Sequence, residues 1–90
     1  MIIISYDIHD DLLRNRFVKM ITKHGAIRLQ YSVYEIRNSK RILDNIRIRI
    51  EHYFSPMFSG ADSVMLFSVD DNNIEKFGNA IHRDKDLLSL

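Results

Sequence analysis

The order strand, helix, strand region, helix, strand predicts an α+β sandwich, with two helices covering one face of a mainly antiparallel sheet. Three observations carry this expectation. Residues 2–8 set Ile2, Ile4, Tyr6 and Ile8 on one face and Ile3, Ser5 and Asp7 on the other, the period of two of a strand. Residues 11–23 and 40–54 repeat apolar side chains at intervals of three and four, the period of a helix packed on one side. Residues 26–37 and 63–69 are rich in β-branched and aromatic types.

The first strand ends in an acidic turn. Asp10 or Asp11 is suited to cap a helix over residues 11–23, with Leu13, Phe17, Met20 and Ile21 on its inner face. Gly25 follows where a left-handed cap is expected, and Lys19 and Lys23 suit the negative end of the helix dipole. Arg16, Lys19 and Lys23, spaced by three and four, form an exposed basic stripe.

In residues 26–37, Ile27, Leu29, Tyr31 and Val33 alternate with Arg28, Gln30, Ser32 and Tyr34. This fits one long strand, or two short ones meeting near Tyr31 and Ser32. A bulge there would reverse the facing of everything after it. Asn38 or Ser39 caps a second helix over residues 40–54, in which Ile42 or Leu43, Ile46, Ile50 and Tyr53 or Phe54 keep an interval near four, and Pro56 lies past its end. Residues 55–62 are read as a connector.

Residues 63–69 are apolar on both faces, Val64 and Leu66 opposing Met65, Phe67 and Val69. Two helices cover one of these faces, and a second sheet is the simplest cover for the other, which argues for a homodimer packed through the sheets. Asp71 or Asn72 is suited to cap a short helical turn through Phe77, residues 79–82 to form a brief extra C-terminal strand, and residues 83–90 to form a tail that is loose or docked on a partner. For this order of elements the ferredoxin-like βαββαβ arrangement is the commonest solution, and by itself it implies no function.

Ninety residues make a single domain, 1–90, small enough that a second copy would add useful burial. An apolar fraction of 46% with 28% charged residues is that of a folded soluble protein. The absence of cysteine removes disulfides, thiolate nucleophiles and cysteine-held metal centres. The apolar start is too short for a signal peptide or a membrane span, so a cytoplasmic protein that uses no membrane is expected. A net charge of +1 does not announce nucleic-acid binding, but the charge is segregated. Acid gathers at Asp7, Asp10, Asp11 and again at Asp70, Asp71, Glu75, and base from Arg14 to Arg28 and from Arg37 to Arg49.

Serine or cysteine nucleophiles in a catalytic setting and glycine-rich phosphate loops are missing from the sequence. The four histidines, His9, His24, His52 and His82, show no metal-site spacing and read as surface or helix-end residues. Asp7, on the more polar face near the carboxyl end of the first strand, is the candidate catalytic and metal-binding residue. A carboxylate is a hard oxygen ligand for Mg2+ or Mn2+, which accept one or two protein carboxylates beside substrate phosphates. One Asp per chain is a poor site, and two across a dimer axis make a workable one. Against this stands the plain reading, in which Asp7 ends a strand and Asp10 or Asp11 caps a helix. Arg14, Arg16, Arg28 and Lys40 are the candidates for phosphate contacts, with solvent exposure as their alternative. Tyr6, Tyr31, Tyr34, Tyr53 and Phe54 suit packing as well as base stacking.

The stretch YDIHDDLLRNR, followed after one helix by Gly25 and by RLQYSVYE from Arg28 to Glu35, resembles the family of small CRISPR-associated proteins numbered two. The match is detailed to about Glu35 and rests on pattern and length beyond it. The resemblance implies a ferredoxin-like homodimer in which Asp7 binds metal opposite its counterpart, and in which Arg14 and Arg16 meet a nucleic-acid backbone. It sets Ser32, Tyr34 and Glu35 beside the first strand and has a late strand, here residues 79–82, join the partner's sheet. Two activities go with the family: Mg2+-dependent cleavage of RNA or double-stranded DNA, and bridging of two CRISPR integrase dimers around a short duplex during spacer acquisition. The ending RDKDLLSL departs from the family's short one. Rival readings are a virulence-associated-type ribonuclease toxin of similar fold and a ligand-sensing ferredoxin-like domain.

Overall fold

In the computed structural model, which describes residues 1–80, the chain forms one four-stranded antiparallel sheet with two helices on one face. The strands are β1 (Ile2–Asp7), β2 (Ile27–Gln30), β3 (Val33–Ile36) and β4 (Ser63–Ser68), and the helices are α1 (Asp11–Lys23) and α2 (Lys40–Arg49). The sheet order β2-β3-β1-β4 is that of the ferredoxin-like βαββαβ fold. The expected sandwich and its order of elements are therefore present. Among the described residues, no helix is long and apolar enough to cross a membrane.

Each helix begins and ends where local chemistry dictates. The Asp10 carboxylate accepts from the Leu13 N–H at 2.8 Å, satisfying one of the free donors of the first turn of α1. At the other end, Gly25 at φ 101° turns the chain so that its N–H reaches Thr22 O at 3.0 Å while the Ala26 N–H reaches Ile21 O at 3.0 Å. Those paired bonds form a Schellman motif, which needs a left-handed residue at Gly25. Ser39 caps α2 through the Ile42 N–H, and the Asn38 side chain donates to His24 O at 2.8 Å, tying the start of α2 to the end of α1. The second helix widens after Arg49 into a π-helical turn (Ile50–Phe54) and then a 3-10 turn (Ser55–Met57) containing Pro56. The helical run thus extends past the expected end at Phe54, with Pro56 inside its closing 3-10 turn rather than beyond it, because Pro is tolerated in the first turn of a helix.

Residues 27–36 form a hairpin, with Tyr31 and Ser32 at the turn and Ser32 at φ 66°. The two-strand alternative is the one realised. Tyr31 is therefore 75% exposed, the pairing register shifts between Arg28 and Gln30, and Tyr34 and Ile36 turn to the helices. The core lies between sheet and helices: Ile2, Ile4, Tyr6 and Ile8 from the first strand and its exit, Tyr34 and Ile36 from β3, and Leu13, Phe17, Met20, Ile21, Ile46 and Phe54 from the helical layer.

Among the described residues, no α-helix lies on the opposite face of the sheet. Asp7, Ser5 and Ile3 point there, paired across β4 with Ser63, Met65 and Phe67, and Met65 and Phe67 remain 52% and 46% exposed. The doubly apolar strand anticipated above is β4. After it the chain passes the ends of β1 and β3, held by the Val69 N–H on Met1 O at 2.9 Å and by Arg37 on Asp71 at 2.6 Å. It then sets Lys76 against Glu35, and a 3-10 turn (Gly78–Ala80) lies beside β2. A helical turn does follow, but its cap is Asp70 rather than Asp71 or Asn72, and it is shorter (Asp71–Asn73) than a run through Phe77. Of the expected strand over residues 79–82, Asn79 and Ala80 are in a 3-10 turn, and the rest, with the tail, lies outside the described residues.

Candidate functional site

Asp7 is the last residue of β1, opposite Ser63 of β4, with its side chain 69% exposed. Two residues later the chain turns toward α1, and His9 Nε2 lies 3.6 Å from Asp7 Oδ1. The other ring nitrogen, Nδ1, is 2.8 Å from Asp62 Oδ1, which also accepts the His9 backbone N–H at 2.9 Å. Asp62 Oδ2 accepts the Ser59 N–H at 2.9 Å. The Asp62 side chain is only 2% exposed, so its charge is neutralised by these donors rather than by water. The His9 ring first, then the Ser59 and His9 amides, hold its carboxyl far below the usual carboxylate range. Reciprocally, the hydrogen bond to Asp62 and then the charge of Asp7 raise His9 above the ordinary imidazole value.

The row Asp7, His9, Asp62 is a joint product of two chain segments. Residues 55–62 are more than a connector, because the loop delivers Asp62 and locks His9. The signal that would have found it is pairing: once β1 and β4 run antiparallel with Asp7 opposite Ser63, the residue before β4 must arrive beside the residues after β1. Among the described residues no three carboxylate or imidazole groups converge as a preformed metal site. One chain therefore offers a partial site. Its donors, a hard carboxylate oxygen with an imidazole nitrogen nearby, suit a divalent cation that keeps several waters.

The four phosphate-contact candidates do not converge on Asp7. Arg14 is engaged locally, donating to Asp11 at 2.6 Å and to Ile8 O at 3.2 Å. It shares a shallow groove along α1 with Arg28, Tyr31 and Lys19. Arg16 faces away into a second groove, between α1 and α2, of about 600 Å³. There it joins Lys19, Lys23 and Arg49, with Tyr53 and Ile48 as apolar walls and no carboxylate among the described lining residues. None of Arg16, Lys19, Lys23, Arg28 and Arg49 has an ion-pair partner among the described residues. Lys40 is paired with Asp44 at 2.8 Å and stands near Met1 and Ile2, the far end of β1 from Asp7. Its hydrogen bond, ahead of its charge, holds the Asp44 carboxyl below its ordinary range.

Residues 1–77 match the family described as CRISPR associated protein Cas2. The chain belongs to this family. Its membership supports a CRISPR-associated role and agrees with the resemblance carried by YDIHDDLLRNR and RLQYSVYE. Among solved structures, the chain is similar to a hypothetical protein from Thermus thermophilus, with 27% identity over 86% of this chain and 88% of that one and a TM-score of 0.67. It is also similar in fold to a crystal structure of cas2, with 24% identity over 99% of this chain and 93% of that one and a TM-score of 0.67. No curated protein matches the chain.

Proposed function

We propose that this Cas2-family chain acts in CRISPR adaptation as a homodimer that binds duplex DNA or RNA, with a Mg2+- or Mn2+-dependent phosphodiesterase site built from Asp7 of each protomer. The observation that carries the reading is the facing of Asp7. It lies on the sheet face opposite the helices with Ser5, Met65, Ile3 and Phe67, of which Met65 and Phe67 are exposed, so a second sheet docked on that apolar face would bring a second Asp7 toward the first. A bound divalent cation there would polarise a phosphate and lower the pKa of a bound water. Asp7 would supply the carboxylate ligand.

The distribution of unpaired cations favours a further role for the same dimer. Arg16, Lys19, Lys23 and Arg49 lie on the helix side, away from Asp7, and offer a broad backbone-binding surface. That suits a protein that holds a duplex between CRISPR integrase dimers whether or not it cuts. The reading is tested by nuclease assays on matched RNA and duplex DNA, with Mg2+, Mn2+ or chelator, for wild type and Asp7→Ala. Metal-dependent cutting lost in the variant supports the phosphodiesterase. Equal cutting in both sinks it, and duplex binding that survives in Asp7→Ala together with integrase copurification supports the bridge.

A further inference from the structure

The geometry points to His9 as a metal ligand beside Asp7, oriented by Asp62, so that the site takes a first-row divalent cation such as Mn2+ in preference to Mg2+. The inference rests on the reading of Asp7 as the metal-binding carboxylate and adds a residue to it.

A buried ionised carboxylate has no proton to give, so it accepts both the His9 backbone N–H and the ring. The ring proton therefore sits on Nδ1, 2.8 Å from Asp62 Oδ1. The remaining nitrogen, Nε2, is turned toward Asp7 Oδ1 at 3.6 Å, too long for a hydrogen bond. Two ligand bonds of about 2.1 Å allow donors up to about 4 Å apart, so this separation is within the span of one cation. A carboxylate behind a histidine, fixing its tautomer and raising its basicity, is also the arrangement by which proteins orient metal-binding imidazoles.

Accessibility and rigidity are divided suitably between the three groups. Asp62 is buried and bound at both oxygens, whereas the side chains of His9 and Asp7 are 58% and 69% exposed. The ligand pair is open to an ion and its waters, and the residue behind it is fixed. Imidazole binds the borderline first-row metals better than it binds Mg2+, which prefers oxygen alone. Asp7 by itself would favour neither strongly, so His9 is the element that discriminates.

The test is Mn2+ binding to the full chain, followed by the loss of the free-ion electron paramagnetic resonance signal. Pulsed measurement of nitrogen modulation from a bound imidazole is made on the same samples. Wild type should show the modulation. His9→Gln should lose it and weaken Mn2+ about tenfold, with Mg2+ competition little changed. Asp62→Asn should weaken Mn2+ by about 10- to 100-fold. The His9 ring is bonded to the buried Asp62 carboxylate, so thermal unfolding checks that His9→Gln and Asp62→Asn are both folded. Mn2+ affinity unchanged in His9→Gln, without nitrogen modulation in wild type, overturns the assignment. If Asp7→Asn abolishes binding in that case, the reading of Asp7 stands alone. Wild type that binds no Mn2+, or Asp7→Asn that binds as well as wild type, overturns both.

Discussion

Lys76 closes on Glu35 on the sheet face opposite α1 and α2, the two side chains 17% and 5% exposed and 41 residues apart. Glu35 lies opposite Ile3 of β1 and Ile27 of β2, so without Lys76 its carboxylate would be surrounded by apolar strands. Removing one partner of a buried pair leaves a charge without solvent or counterion, and that costs more than the pair itself contributes.

Lys76→Met should therefore lower stability by about 3 kcal/mol, read from the urea midpoint at fixed protein concentration. The double variant Glu35→Met with Lys76→Met should regain most of the loss. A double variant no better than the single one would show that the pair is worth more than its desolvation.

Phe17 is fully buried, with ring centroids 5.3 Å from both Tyr6 and Phe54. It joins the first strand, α1 and the π-helical turn in one aromatic row. Phe17→Ala should cost about 3–5 kcal/mol, and Phe54→Ala a similar amount. Because the rings touch, the double variant should cost less than the sum. Additive losses in chemical denaturation would mean that the two rings stabilise the fold independently.

The pair His9 and Asp62 should make stability depend on pH. His9 is raised from 6.5 by the hydrogen bond to Asp62 and then by Asp7, with Arg14 opposing. Its contribution is complete below about pH 6.5 and fades as pH rises through the folded value. Asp62 is lowered from 3.8, so its contribution is complete above about pH 4 and fades as pH falls through the folded value. The thermal midpoint of wild type, relative to His9→Gln in chelator, should thus be highest between about pH 4 and 6.5 and should decline above. A difference that is flat from pH 5 to 9 would contradict the raised imidazole.

Much of this was legible in the sequence, because the signals are local. Asp10, Ser39 and Gly25 cap helices through contacts three or four residues away, and Leu13, Phe17, Met20 and Ile21 declare their face by spacing alone. Asp7 could be assigned to the end of a strand and to its more polar side for the same reason. Asp62 could not be found in that way. It meets His9 across 53 residues, through a pairing of β1 with β4 that local pattern does not specify. Lys40 had the right charge but stands at the opposite end of β1 from Asp7, a consequence of which way α2 runs. The facing after Ser32 depended on one left-handed residue that is not glycine, the case for which composition gives the weakest warning.

The separation of paired from unpaired cations leads to a last prediction, on duplex binding. A cation already held by a carboxylate gives up that contact before it can meet a phosphate, whereas an unpaired one releases only counterions from the nucleic acid. Arg16, Lys23 and Arg49 are unpaired among the described residues and share the groove between the helices, while Lys40 is held by Asp44 at 2.8 Å. For a duplex of about 20 base pairs followed by fluorescence anisotropy, each of Arg16→Ala, Lys23→Ala and Arg49→Ala should reduce the slope of log K against log salt by about 1. Lys40→Ala should change it by much less. If Lys40→Ala alone reduced the slope, the duplex would run along the Met1 end of the sheet, and the helix-side groove would be an ordinary solvated surface.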